Sequence, residues 1–279
     1  MPATTIALCN LKGGVGKTST TFHLGGTLAA RGARVLLADL DPQASLTQGF
    51  LGPDAAHALD PRATAAALFG AALPPAPAEL IVPTGFAGLN LLPGSAALSR
   101  HNVPEPWRCD RDDQRALADF LREAAGDYDL VLVDCPPILH LCSWAALAAA
   151  DALVCPLQAE DFGSQGIASI LDFVAAVRSG PNPRLRLLGY LLTMFNPRLA
   201  IHAAYAERLR TLYGDDVLAT TIPIAADVKE AVALRRPIVH HKPKGASAKA
   251  VAALADELRT RLDCAAQAGT RGGAGEVAA

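Results

Sequence analysis

Asn10-Leu11-Lys12-Gly13-Gly14-Val15-Gly16-Lys17-Thr18-Ser19 follows the apolar run Thr5–Cys9 and leads into a helical pattern from Thr20 to Arg31. Strand, glycine loop and helix in that order predict a phosphate-binding loop. Glycines let consecutive backbone N–H groups turn towards one anion. The helix that follows points its unpaired N–H groups and partial positive charge at the same place. Lys17 is expected to reach the β- and γ-phosphates, and Thr18 to place its hydroxyl on Mg²⁺. The loop departs from G-x-x-x-x-G-K-[ST] in one respect: Leu11 stands at the first glycine position and a second lysine, Lys12, follows it.

Two further stretches complete the pattern. Arg34 to Asp39 reads as a buried strand that ends in Asp39-Leu40-Asp41-Pro42-Gln43. An unbroken apolar run fits a parallel sheet covered on both faces, and its C-terminal end is where such sheets bind ligands. Tyr128 to Asp134 is a second apolar strand that delivers one carboxylate, Asp134, in the manner of a Walker-B strand.

The rest of the chain repeats a strand–helix rhythm. Helices are expected at Asp110–Ala125, 164–177, 201–212, 225–234 and 246–262, with strands at 152–156, 185–193 and 217–222. Residues 52–101 are punctuated by prolines; a short helix near 63–69 and strands at 80–82 and 89–92 are predicted there. The fold class is α/β, a P-loop NTPase with a mostly parallel twisted sheet flanked by helices on both faces. One domain spans residues 1–264, and the Gly/Ala-rich segment 265–279 is expected to be a disordered tail.

Composition bounds the setting. The 279 residues are 51% apolar with a net charge of −2, so overall charge steers no partner. Six cysteines without a C-x-x-C pair read as reduced thiols, three of them (Cys9, Cys135, Cys155) at the ends of apolar runs. Neither a signal peptide nor a run of membrane-spanning length is expected, which predicts a cytoplasmic protein. Between Arg184 and Lys249 there are eleven Lys/Arg against five Asp/Glu, an excess of six positive charges that leaves −8 on the remainder.

Taken together, these stretches resemble the ParA family of deviant Walker-A ATPases, the ParA/MinD group. The resemblance rests on Lys12-Gly-Gly-Val-Gly-Lys-Thr18, Asp39-Leu-Asp-Pro-Gln43 and Asp134-Cys-Pro-Pro137. It continues in Pro156-Leu-Gln-Ala-Glu160, Leu191-Leu-Thr-Met-Phe195, Ile222-Pro223 and the segment from Lys229 to Ile238, and covers roughly residues 4–262. It implies an ATPase that uses ATP and Mg²⁺ and closes into an ATP-dependent homodimer. Lys12 then reaches across to the partner's phosphates, as an arginine finger does. Nucleotide contacts fall on Lys12, Gly13, Gly14, Val15, Gly16, Lys17, Thr18 and Ser19, with Asn196 and Pro223 near adenine. Asp41 positions the attacking water, and Thr18, Asp39 and Asp134 form the metal shell.

The resemblance also implies non-specific DNA binding in the ATP state, a ParB-like or other cargo adaptor that stimulates hydrolysis, and a nucleoid-associated location. Partition ATPases carry an arginine directly after Ile-Pro, whereas Ile224 stands there here. The expected DNA contacts are therefore Arg198, Lys229, Arg235, Arg236, Lys242 and Lys244. A MinD-like membrane-associated ATPase is the alternative; it needs an amphipathic basic C-terminal helix, and Ala246–Leu262 reads as a core helix instead. Electron transfer, as in the nitrogenase iron protein, needs paired cluster cysteines that the spacing does not supply. A tyrosine kinase of the same superfamily is disfavoured because the four tyrosines are not clustered at the C-terminus.

Overall fold

In the computed structural model, residues 3–71, 73–159 and 164–272 are described. Glu160, the last residue of one quoted motif, and residues 273–279 of the expected tail lie outside them. The chain begins with β1 (Thr4–Leu8), α1 (Lys17–Ala30) and β2 (Val35–Asp39). Two short helices, α2 (Ser45–Leu51) and α3 (Pro53–His57), precede α4 (Pro77–Leu80), β3 (Val82–Pro83) and β4 (Leu89–Leu92). There follow α5 (Arg111–Ala124), β5 (Leu130–Asp134), α6 (Leu141–Ala149), β6 (Ala152–Gln158), α7 (Ser164–Ser179) and β7 (Arg186–Phe195). The last elements are α8 (Ala200–Tyr213), β8 (Val217–Pro223), α9 (Ala226–Ala233), α10 (Ile238–His241) and α11 (Ala246–Gly272).

The strands form one eight-stranded sheet in the order β3-β4-β2-β5-β1-β6-β7-β8. All neighbours are parallel except β3, which runs antiparallel to β4. Alternation along each strand splits the core. Ile6 and Leu8 face one side with Leu24, Leu37 and Leu254, whereas Ala7 and Cys9 face the other with Val133, Trp144 and Leu153. The β1–β5 and β2–β5 registers set Leu8 and Asp39 on either side of Asp134. The P-loop and both acidic strand ends thus meet at one level of the sheet's C-terminal edge.

Several expectations change. The helix expected over 63–69 is two 3-10 turns (Pro61–Ala63 and Ala65–Leu68) divided at Thr64, whose hydroxyl bonds the Pro61 carbonyl and Ser95 Oγ. Where a strand was expected at 80–82, Pro77 opens helix α4, Glu79 turns back towards the Ala76 N–H, and the strand begins only at Val82. Helix α6 has no amphipathic signature, because seven of its nine residues are buried. Helix α11 continues past Leu262 to Gly272, and its Val251, Leu254, Ala255 and Leu258 are buried.

Candidate functional site

The loop between β1 and α1 is held open by its own hydrogen bonds. Asn10 Oδ1 accepts from the Lys12 N–H at 3.1 Å, and its Nδ2 donates to the Pro156 carbonyl on β6. Gly14 and Gly16 take φ of 78° and 82°, in the left-handed region that side chains resist, which turns successive N–H groups inward. Lys17, the first residue of α1, is 5% exposed, and its Nζ donates to the Lys12 carbonyl at 3.0 Å. That contact folds the ammonium back over the loop, where an anion would meet it. Thr193 on β7 is a further support, to which sequence reasoning assigned no role: its hydroxyl lies 2.7 Å from the Val15 carbonyl and 3.1 Å from the Leu157 carbonyl.

Three carboxylates face this loop. Asp134 is fully buried, and among the described residues neither of its oxygens has a hydrogen-bond partner. Burial, then the nearby Asp39 charge, pushes its pKa well above the usual carboxylate range, while the Thr18 hydroxyl and Lys17 pull the other way. Asp39 is buried too, and burial raises its pKa to about 6. Its Oδ2 accepts from Thr47 N–H (2.9 Å) and Thr47 Oγ1 (2.7 Å), and its Oδ1 from Asp41 N–H (3.2 Å). Asp39 therefore pins the turn from Asp41 to Thr47 in this conformation, rather than presenting free lone pairs to an ion. Asp41 is 8% exposed, its pKa is raised by burial, and its Oδ1 accepts from the Gln43 N–H at 2.9 Å.

A buried carboxylate with two unpaired oxygens, beside a threonine hydroxyl, fits a divalent cation. No group of three His, Cys, Asp or Glu among the described residues can enclose a metal. The donor set instead suits Mg²⁺, which retains several waters and takes phosphate oxygens alongside one or two protein ligands. Thr18 and Asp134 are the residues that would hold it.

Two cavities meet at this edge. One, of about 390 Å³, is lined by Gly13, Gly14, Lys17, Thr18, Asp41 and Gln43. The other, of about 290 Å³, has mostly apolar walls from Thr193, Met194, Ile222, Pro223, Val228 and Val232. Gly16, Ser19 and Met194 border both. Met194 turns the chain at the end of β7 with φ of 50°, a costly conformation for a non-glycine residue. A polar phosphate end joined to an apolar slot has the shape of a nucleotide. Pro223 lines the slot. Asn196 does not line it; its Oδ1 accepts from the Arg198 N–H at 3.0 Å.

The expected DNA-contact residues stand in different surroundings. Lys229 is exposed but lies at the wall of the apolar slot. Lys242 is paired with Glu230 at 2.7 Å. Arg235 has φ of 54°, and its guanidinium lies over Gly52, where an added Cβ would come within 2.6 Å. Arg198, Arg236 and Lys244 are exposed.

Residues 3–187 match the AAA domain family. Over 259 residues the chain is 39% identical to the chromosome-partitioning ATPase Soj of Thermus thermophilus, covering 92% of this chain and 96% of that one. It is 37% identical to the chromosome partitioning protein ParA of Caulobacter vibrioides, covering 93% and 95%. Among solved structures, the cobyrinic acid a,c-diamide synthase of Mycobacterium smegmatis with bound ATP analogue and magnesium is 31% identical. Its TM-score is 0.70, with 79% of this chain and 84% of that one covered. The family match spans the phosphate loop and the strands that carry Asp39 and Asp134. The chain belongs to the ParA family of P-loop ATPases and is an ATPase of partitioning or positioning.

Proposed function

We propose that the chain is an ATP-dependent dimerisation switch that binds DNA non-specifically in its ATP state and positions DNA or a large protein cargo. The observation that carries this reading is the open outer face of the phosphate loop. Lys12, Gly13 and Gly14 are exposed, and a Cβ built at Gly13 or Gly14 would meet nothing within 4 Å. A second loop can approach there, with each Lys12 set beside the other chain's phosphates. A cation delivered to developing negative charge lowers the barrier to phosphoryl transfer. Lys17 acts within its own chain, and Asp41 orients the attacking water. Hydrolysis on this reading depends on Mg²⁺ and is stimulated by a ParB-like or other adaptor on the cargo. The protein resides in the cytoplasm, associated with the nucleoid.

The MinD-like alternative loses its main support. The apolar stripe of α11 is buried against the sheet, and among the described residues no helix is long and apolar enough to cross a membrane. Light scattering tests the switch. Asp41→Ala with ATP is expected to retain nucleotide, hydrolyse it slowly and run as a dimer. Adding Lys12→Ala should return it to monomer with ATP still bound. Equal dimerisation with and without Lys12 would overturn the trans role. ATP-dependent sedimentation with anionic vesicles but not with DNA would favour the membrane reading.

A further inference from the structure

His23 is buried in the second turn of α1. Its Nδ1 accepts from the Ile238 N–H at 3.0 Å, which fixes the neutral tautomer with hydrogen on Nε2. Nε2 then donates to the Val228 carbonyl at 3.3 Å. Both partners belong to the segment that walls the apolar slot: Val228 lies in α9 and lines the slot, and Ile238 opens α10. Packing brings the same elements together, because a Cβ at Gly26 would come within 2.2 Å of Pro237. The ring thus ties α9 and α10 to the helix whose first residues, Lys17 and Thr18, face the phosphates.

We propose that His23 is a positioning residue for the nucleotide base: it fixes α9, the outer wall of the apolar slot, against the phosphate-binding helix α1. Besides this tie, the slot wall is held by the chain from β8, by the contact of Pro237 on α1, by the buried Ala231, and by Asp227 and Glu230 of α9, which respectively accept from Ser247 Oγ at 2.7 Å and pair with Lys242. Loosening the wall weakens contacts with the base and leaves those with the phosphates in place. The role rests on assigning the apolar slot to the base.

The two hydrogen bonds can be separated by substitution. Asn places an oxygen near Nδ1 and can keep the Ile238 bond; Gln places an amide near Nε2 and can keep the Val228 bond. His23→Leu keeps neither. Affinity for ATP and ADP, and for inorganic tripolyphosphate as a probe without a base, is measured by calorimetry in the full-length protein with Mg²⁺. His23→Leu is expected to lose about tenfold in ATP and ADP affinity with tripolyphosphate unchanged, and His23→Gln to recover most of the loss. Equal losses for all three ligands, or no loss for ATP, would overturn the proposal. Val232→Trp, which fills the slot, distinguishes the two levels. If it leaves ATP affinity unchanged, the base lies elsewhere and the slot assignment fails. If it weakens ATP while His23→Leu does not, the slot assignment stands and the role of His23 fails.

Discussion

Both oxygens of Asp134 are buried without a hydrogen-bond partner among the described residues, and Asp39 stands opposite it in the β2–β5 register. Burying an unpaired polar group costs about 1–3 kcal/mol, and a charged one more. The pKa values of Asp39, Asp41 and Asp134 are all raised. A carboxyl whose folded pKa is raised stabilises the fold fully below its unfolded pKa and loses that contribution as pH rises through the folded value. For Asp39 the loss falls between about 4 and about 6. The contribution of Asp39 to the ligand-free protein is therefore expected to fall as pH climbs through this range, and Mg²⁺ with ADP should raise Tm more at pH 8 than at pH 5. Asp134→Asn should raise the ligand-free Tm at pH 8 and abolish the extra shift from Mg²⁺. A ligand-free Tm that falls, or a Mg²⁺ shift that survives, would show that the cation is not held at Asp134. The slow turnover expected of Asp41→Ala belongs to this scale too, since Asp41 sits at the phosphate cavity beside Gln43.

Among the elements, β7 supports the site from a distance in sequence that no local pattern reveals. Thr193 and Val15 are 178 positions apart, yet one hydroxyl bonds the loop carbonyl. Thr193→Val keeps the shape and removes the donor. It is expected to cost about 1 kcal/mol of stability, with weaker ATP binding because the loop loses its rear contact. Unchanged ATP affinity, measured by calorimetry, would mean that the glycines and Asn10 hold the loop alone. Helix α1 carries a second constraint. Burial lowers the His23 pKa from 6.5 to about 4, with Asp227 of α9 and His241 of α10 as its charged or titratable neighbours. A histidine with a lowered folded pKa contributes stability above its unfolded pKa and loses it as pH falls through the folded one. The contribution of His23 to the unfolding free energy should therefore drop by about 3 kcal/mol between pH 6.5 and pH 4, opposing the gain from Asp39 over the same interval. His23→Gln should remove that contribution, so that in denaturant titrations its unfolding free energy rises relative to that of the parent protein as pH falls from 6.5 to 4; an identical pH dependence would show that His23 contributes none of it.

What the sequence reveals about these elements depends on how local their physics is. The glycine loop, Asp39 and Asp134 are legible because a strand, a turn and a charge suffice to define each. Thr47, Thr193 and His23 are not, since each acts through a partner that only the folded sheet brings close. Helix α6 is hidden by burial on nearly every face, which erases the 3.6-residue pattern. In residues 52–101, short turns capped by Thr64 and Asp60 replace periodic elements, so hydrophobic spacing carries little information there.

At the scale of the whole molecule, the basic excess between Arg184 and Lys249 is less available than the sequence suggests. Lys242 is engaged by Glu230, and Lys229 borders the apolar slot. The exposed guanidinium groups of Arg235 and Arg236 follow α9 directly and lead through Pro237 into α10, so they sit on the segment that His23 ties to α1. If this segment meets DNA in the ATP state, binding should be sequence-independent and should weaken with salt by a slope of about 0.9 per phosphate neutralised. Replacing both arginines with alanine is expected to lower that slope by roughly two. Lys242→Ala should change it by less than one, because Glu230 already holds the ammonium. Fluorescence anisotropy with ATP across a salt series measures each slope. ATP affinity must be checked in parallel, since the guanidinium of Arg235 also lies over Gly52. A double variant that keeps its ATP affinity and the full salt slope would move the DNA surface away from α9 and α10, to Arg198 and the start of α8.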